Sequence, residues 1–211
     1  MSGESGEAGR GKAGGPVPSL VLASGSPRRA EILSTLGIAF RVQVADIDET
    51  PRPGESPPAL VERLAREKSA AVAPGADAPV LAGDTVVVVD GRVLGKPADA
   101  DEAVAMLLAL SGRSHRVLSS LALVEPDGAV RSGVEATRVT FRELDAEEIR
   151  AYVATGEPMD KAGAYGIQGR GAALVRGLEG DYSGVVGLPV SLLVRLLAER
   201  GTPYRFGAGQ G

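Results

Sequence analysis

Apolar residues along the chain fall into two kinds of pattern: short continuous runs, and longer stretches with helical spacing. The run Leu20-Val21-Leu22-Ala23 predicts a buried strand, followed by a turn at Ser24-Gly25-Ser26-Pro27. A helix is expected from Pro27 to Leu36, with Ser26 as N-cap, Pro27 at the first helical position and Gly37 as the stop. A second helix is expected over 58–73. A strand over 80–89 is turned by Asp90-Gly91 into a hairpin with 92–96. Asp99 to Glu102 has capping-box spacing and opens a helix ending near Gly112. Strands follow at 116–124 and 134–141, then a helix opened by Asp145 to Glu148 and stopped at Gly156. A glycine-rich stretch over 156–171 leads into a strand at 172–178 and a last helix at 189–200. Strands alternating with helices predict an α/β fold, and no internal repeat is visible.

Length and composition narrow the classes of function. The 211 residues, 44% of them hydrophobic, suffice for one sizeable core, so a single domain is expected over 19–205. Residues 1–18 are rich in Gly, Ser and small polar side chains and cannot offset chain entropy by burial, which predicts a disordered tail. A flexible C-terminus is expected over 206–211. The 23 basic and 27 acidic side chains leave a net charge of −4, against a general DNA footprint. Aromatics at 3% argue against base-stacking platforms. With no cysteine there is no disulfide, thiolate nucleophile or Cys-based zinc site, and the single His115 leaves oxygen ligands for any metal. No apolar run approaches the roughly 18 residues of a membrane span, and no apolar leader is seen, so a cytoplasmic protein is expected, with no membrane or nucleic-acid partner.

Several residues ask for a reason. Ser24 to Arg29 places small residues and two arginines where a strand turns into a helix N-terminus. Unpaired N–H groups and the helix dipole attract anions there, although a solvated helix start reads equally well. Lys68 lies on the same helical stripe as Val61, Leu64, Ala65 and Val72, so it either snorkels to water or meets an anion. Asp84 interrupts the apolar run 80–89, and a carboxylate there is paired, metal-bound or catalytic. The two-residue loop sets Val89 opposite Arg92, hence Thr85 opposite Lys96, and makes Lys96 the expected neighbour of Asp84. A plain Asp–Lys pair ending a strand is the alternative. Asp46, Asp48 and Glu49 gather three carboxylates, as a Mg²⁺ or Mn²⁺ anchor or as a solvated loop. The glycine-rich run after Asp160 and Lys161 contains Gln168, whose amide can donate to and accept from a base edge. His115 is read as a structural hydrogen bonder.

Taken together, these segments resemble the Maf family of nucleoside triphosphate pyrophosphatases. The matching stretches are Leu22-Ala23-Ser24-Gly25-Ser26-Pro27-Arg28-Arg29, Ile47-Asp48-Glu49, Leu64 to Lys68, Gly83-Asp84-Thr85 and Leu94-Gly95-Lys96-Pro97. They continue through Leu110-Ser111-Gly112, His115 and Val117, Glu157 to Gly169, and Val185 to Pro189, in the family's order over about 20–200. The resemblance implies a two-lobed mixed sheet flanked by helices, with a central nucleotide cleft. It also implies hydrolysis of a nucleoside triphosphate between its α and β phosphates, releasing pyrophosphate. Asp84 falls on the family's proton acceptor. Arg28, Thr85 and Gln168 fall on the positions that sort substrates, in the form similar to the branch acting on dTTP and UTP. A divalent cation and a homodimer are implied as well. Ala82-Gly83 replaces the usual Gly-Ala, and Gly184 stands where Asn is frequent.

The mechanism expected from both lines puts phosphate oxygens on Ser26, Arg29, Lys68 and Lys96 beside Arg28, with Mg²⁺ or Mn²⁺ anchored by Glu49. Asp84 is the base, and Thr85 and Gln168 read the pyrimidine edge. The competing expectations are a nucleotide sensor that does not cleave and a DNA-binding regulator of cell division built on the helix after Arg28. Pyrophosphate release separates the enzyme from both.

Overall fold

The computed structural model of the protein describes residues 20–206. The tail expected over 1–18, and all of the expected flexible C-terminus except Phe206, lie outside the described residues. The chain enters on β1 (Leu20–Leu22), fully buried, and turns into α1 (Pro27–Thr35). Pro27 opens α1, where a missing N–H costs nothing. Ser26 stands at the N-cap but its hydroxyl does not cap the helix; its own N–H donates to Ser24 Oγ at 3.2 Å. β2 (Phe40–Val42) then pairs in parallel with β1. Nothing in the sequence pattern foretold β2, because three half-exposed edge residues around Arg41 carry no period.

The middle of the chain follows its pattern closely. α2 (Pro57–Val72) buries the expected stripe of Val61, Leu64, Ala65 and Val72, with Leu60 buried beside it. β3 (Val80–Val89) and β4 (Arg92–Leu94) form the hairpin with Val89 opposite Arg92. α3 (Ala100–Leu110) is capped by Asp99, which accepts from Glu102 N at 2.8 Å. β5 (Ser114–Val124) and β6 (Val130–Phe141) form the longest ladder, and α4 (Ala146–Val153) is capped by Asp145.

The region expected as a strand over 172–178 divides differently. Three 3-10 turns at Glu157–Asp160, Ala162–Ala164 and Gly169–Leu174 precede β7 (Val175–Glu179). The Glu157 carboxylate takes the N–H groups of Arg170 and Gly171, at 3.0 and 2.9 Å, and Val175 N donates to Ala172 O, so the chain stays in 3-10 turns up to Leu174 and the strand starts three residues later than expected. Gly169 at φ 64° turns the chain away from an extended path. α5 (Tyr182–Val186), too short to read from a pattern, and α6 (Val190–Glu199) complete the fold.

The strands form one mixed sheet in the order β2-β1-β3-β5-β6-β7, with β4 also on β3. β3 is its axis. On one edge it pairs continuously with β5, from Val80 to Val88. On the other edge, β1 pairs only with Val80 and Leu81, and β4 only with Val87 to Val89. The edge of β3 across Gly83 to Val86 therefore faces no strand. Leu81 O accepts from Ala23 N on this same edge, so by strand alternation the main-chain groups of Gly83 and Thr85 also point into the gap.

The two faces of the sheet are covered unequally. α2 lies along one face, joining Val61 to Val86, Val88 and Leu118, and Val72 to Val21, Val80 and Ala82. The other face carries two separate cores. Leu33 and the α6 leucines pack on Leu20, Leu22, Leu81, Leu121 and Leu123 at one end. At the other end, α3, α4 and the glycine-rich turns pack on Val87, Val89, Val117, Val139 and Phe141. Each buried leucine or phenylalanine contributes about 1.5–3 kcal/mol of transfer free energy. These two cores on one continuous sheet are the two lobes, and the open edge of β3 lies between them.

Candidate active site

A cleft of about 800 Å³ opens at this gap, beyond the carboxyl end of β1, where ligands collect in open α/β sheets. All nine predicted site residues line it: Ser26, Arg28, Arg29, Glu49, Lys68, Asp84, Thr85, Lys96 and Gln168. Its walls carry five basic side chains, Arg28, Arg29, Lys68, Lys96 and Lys161, against three acidic ones, Glu49, Asp84 and Asp160. In a chain of net charge −4 this concentrates positive potential where a polyanion would enter.

Asp84 projects from β3 toward α2 and is only 8% exposed. Lys68 Nζ donates to its Oδ1 at 2.8 Å and sits 3.1 Å from Glu49 Oε1. The lysine on the apolar stripe thus meets anions. The expected neighbour was Lys96, but β3–β4 pairing ends at Leu94, so Lys96 leaves the ladder and stands exposed on the cleft wall. Burial pushes the Asp84 carboxyl up from its ordinary value, and the pull of Lys68 and Arg29 in the other direction does not cancel it. A carboxylate poised in this way is a stronger proton acceptor than an exposed one.

Arg29 is fixed in the floor. Its Nε donates to Gly187 O at 2.8 Å and its Nη1 to Ser24 Oγ at 2.9 Å. Burial lowers its pKa, while the nearby Asp84 charge opposes the shift. Arg28 instead reaches across the cleft to Asp160 Oδ2, 2.9 Å away. Asp160 is also held by Lys161 Nζ at 2.6 Å. Burial works against ionisation of Asp160, but the hydrogen bonds from Lys161 and Arg28 outweigh it and hold the carboxyl down at about 2.

Gln168 is exposed on a loop tied at both ends. Gly166 N points to the Tyr152 hydroxyl at 3.4 Å, and Arg170 and Gly171 donate to Glu157, which also accepts from Tyr152 at 3.0 Å. Of the acidic trio, only Glu49 reaches the cleft; Asp48 accepts from Thr50 N and shapes its own turn. His115 lies in the core, its Nε2 2.7 Å from the Tyr165 hydroxyl and its ring edge-on to Phe141, in the structural role expected of it.

Sequence reasoning gave no role to Ser119 or Glu157. Ser119 meets Thr85 across two strands 34 residues apart, and Glu157 ties down the loop that carries Gln168 through the N–H groups of Arg170 and Gly171; no local spacing reports either contact. The reading of α1 as part of a DNA-binding regulator is not favoured, since Arg28 and Arg29 both turn into the cleft.

The family model described as "Maf-like protein" matches residues 19–200. The chain belongs to the Maf-like protein family. Among its relatives, the dTTP/UTP pyrophosphatase of Pelotomaculum thermopropionicum is 52% identical over 184 residues, covering 86% of this chain and 96% of that protein. The dTTP/UTP pyrophosphatase of Symbiobacterium thermophilum is 55% identical over 194 residues, covering 90% and 98%. The dTTP/UTP pyrophosphatase of Myxococcus xanthus is 54% identical over 190 residues, covering 87% and 93%. Among solved structures, a nucleoside-triphosphatase (dITP/XTP pyrophosphatase) of Mycobacterium abscessus is similar at a TM-score of 0.44 and 20% identity, covering 86% of this chain and 93% of that one. In this Maf-like chain, no described helix is long and apolar enough to cross a membrane.

Proposed function

We propose that this Maf-like chain hydrolyses UTP and dTTP between the α and β phosphates, giving the nucleoside monophosphate and pyrophosphate. The observation that carries the reading is Asp84. It is a buried carboxylate with a raised pKa, held by Lys68 at the unpaired edge of β3, on the floor of a cleft with predominantly basic walls. Relatives at 52–55% identity that bear the name dTTP/UTP pyrophosphatase support the choice of substrate.

In this reading Arg28, Lys96 and Lys161 draw in the triphosphate, and the fixed charge of Arg29 stabilises the phosphate oxygens from the floor. Ser26 stands at the N-terminus of α1, where free N–H groups suit a phosphate oxygen. Water attacks the α phosphorus, the bond to the α–β bridging oxygen breaks, and pyrophosphate leaves with that oxygen. Asp84 takes the proton the water gives up. Asp84 and Glu49 already converge on Lys68. They are the donors that would hold Mg²⁺ or Mn²⁺, since such ions take one or two carboxylates and fill their other positions with phosphate oxygens and water. A bound ion supplies phosphate charge neutralisation and a more acidic water. Thr85 and Gln168 read the pyrimidine.

The test is Asp84→Asn, assayed on UTP and dTTP with Mg²⁺ or Mn²⁺, with pyrophosphate and orthophosphate distinguished. Wild type should release pyrophosphate, and the variant should lose about 10²–10⁴ in kcat. Near-normal turnover by the variant, or orthophosphate as the primary product, would remove the proposal.

A further inference from the structure

Asp84 and Thr85 point to opposite faces of β3, and their cross-strand partners point with them. On the α2 face, Ser120, opposite Asp84, donates to Val61 O at 2.6 Å. On the other face Ser119, opposite Thr85, is 1% exposed and makes two contacts. Its Oγ lies 2.5 Å from Gly184 O, the main-chain carbonyl of α5, and 3.0 Å from Thr85 Oγ1.

A serine hydroxyl has one proton to give. A carbonyl oxygen only accepts, and two oxygens 2.5 Å apart with no proton between them would repel. The Ser119 proton therefore belongs to Gly184 O, and the Thr85 hydroxyl must donate to Ser119. Thr85 Oγ1 then turns a lone pair, not a proton, toward the cleft it lines.

We infer that Ser119 is a positioning residue for specificity. By consuming the Thr85 proton, it makes Thr85 an obligate acceptor and so selects a pyrimidine whose N3 carries hydrogen. This rests on the reading of Thr85 as a base-contacting residue. Uracil and thymine present N3–H there, whereas cytosine presents a lone pair that would face another lone pair, unpaired and repelled. The device is blind to guanine, whose N1–H is also a donor, so it separates pyrimidines from each other and leaves purines to the size of the cleft. Gly184 contributes only its main-chain carbonyl, so glycine in place of the family's frequent asparagine leaves the relay intact.

The experiment compares dissociation constants, by calorimetry, of the α,β-imido analogues of UTP and CTP, which resist cleavage between those phosphates. Wild type should favour the uridine compound. Ser119→Ala frees the Thr85 hydroxyl to rotate and donate, so the preference should fall about tenfold. In a Thr85→Val background, adding Ser119→Ala should change the preference no further. An equal loss of affinity for both analogues in Ser119→Ala would reveal a purely structural serine and overturn the inference. Wild type alone gives a second measurement that needs no folded variant: N3-methylation of the uridine analogue should weaken binding at least tenfold. Undiminished binding of the methylated compound overturns the inference. Because these are binding measurements, they remain decisive if pyrophosphate release is absent, which would count against the proposed reaction alone.

Discussion

Burial and a neighbouring ammonium pull the Asp84 carboxyl in opposite directions, and burial prevails. Removing the ammonium must then drive its pKa higher still. Lys68→Met keeps the methylene bulk on the α2 stripe while deleting the charge, so deprotonating Asp84 should require more alkaline solution. The acid limb of the kcat/KM profile should move to higher pH, and an unmoved limb would mean that Asp84 is not the group titrating. The same raised pKa bears on stability. A carboxyl whose folded pKa exceeds its unfolded value favours folding below the unfolded value, and that contribution is lost as pH rises through the folded value. Ionised Asp84 is thus a burden near neutrality, and Asp84→Asn should lose turnover without melting lower than wild type. Lys68 could be read as inward-facing from its helical spacing alone. Its anionic partners, on a strand and a loop distant in sequence, could not.

At the scale of elements, the β3–β4 hairpin illustrates what local chemistry specifies. Asp90-Gly91 fixed the turn, and the register of Val89 with Arg92 followed from it. The extrapolation to Lys96 failed because the ladder stops after three pairs and the chain leaves to meet the glycine-rich turns: Gly95 O accepts from Gly163 N at 2.9 Å. Gly163 has φ 69°, and a Cβ there would come within 2.8–3.0 Å of the Val87 side chain. Gly163→Ala therefore combines backbone strain with overpacking, about 2–4 kcal/mol together. The melting temperature should fall by about 5–15 °C in a protein of this size, and a fall under 2 °C would refute the contact. Capped helices and continuous apolar strands were legible because their signals lie within a few residues. β2, α5 and the 3-10 turns were not, because tertiary hydrogen bonds such as those of Glu157 decide them.

For the whole molecule, acid stability falls in part on His115. Burial lowers its pKa from 6.5 to about 4, so the folded protein keeps the ring neutral where the unfolded chain would protonate it. The sign follows: this contribution is present above pH 6.5 and is lost as pH falls toward 4. Between pH 7.5 and 4.5, wild type should lose on the order of 2–3 kcal/mol more unfolding free energy than His115→Gln, measured by denaturant titration. Parallel losses in the two proteins would assign the acid sensitivity to other groups.

The uncovered stretch of β3 has a further consequence. Bare strand edges are where folded proteins adhere to one another and seed aggregates. Here the bare edge is sunk in a crevice whose walls carry Arg28, Arg29, Lys68, Lys96 and Lys161. Charge of this kind on approach to an edge discourages a second polypeptide from docking there, while it welcomes small anions. The chain thereby keeps main-chain groups available at its centre behind walls that disfavour edge-to-edge strand pairing at that stretch.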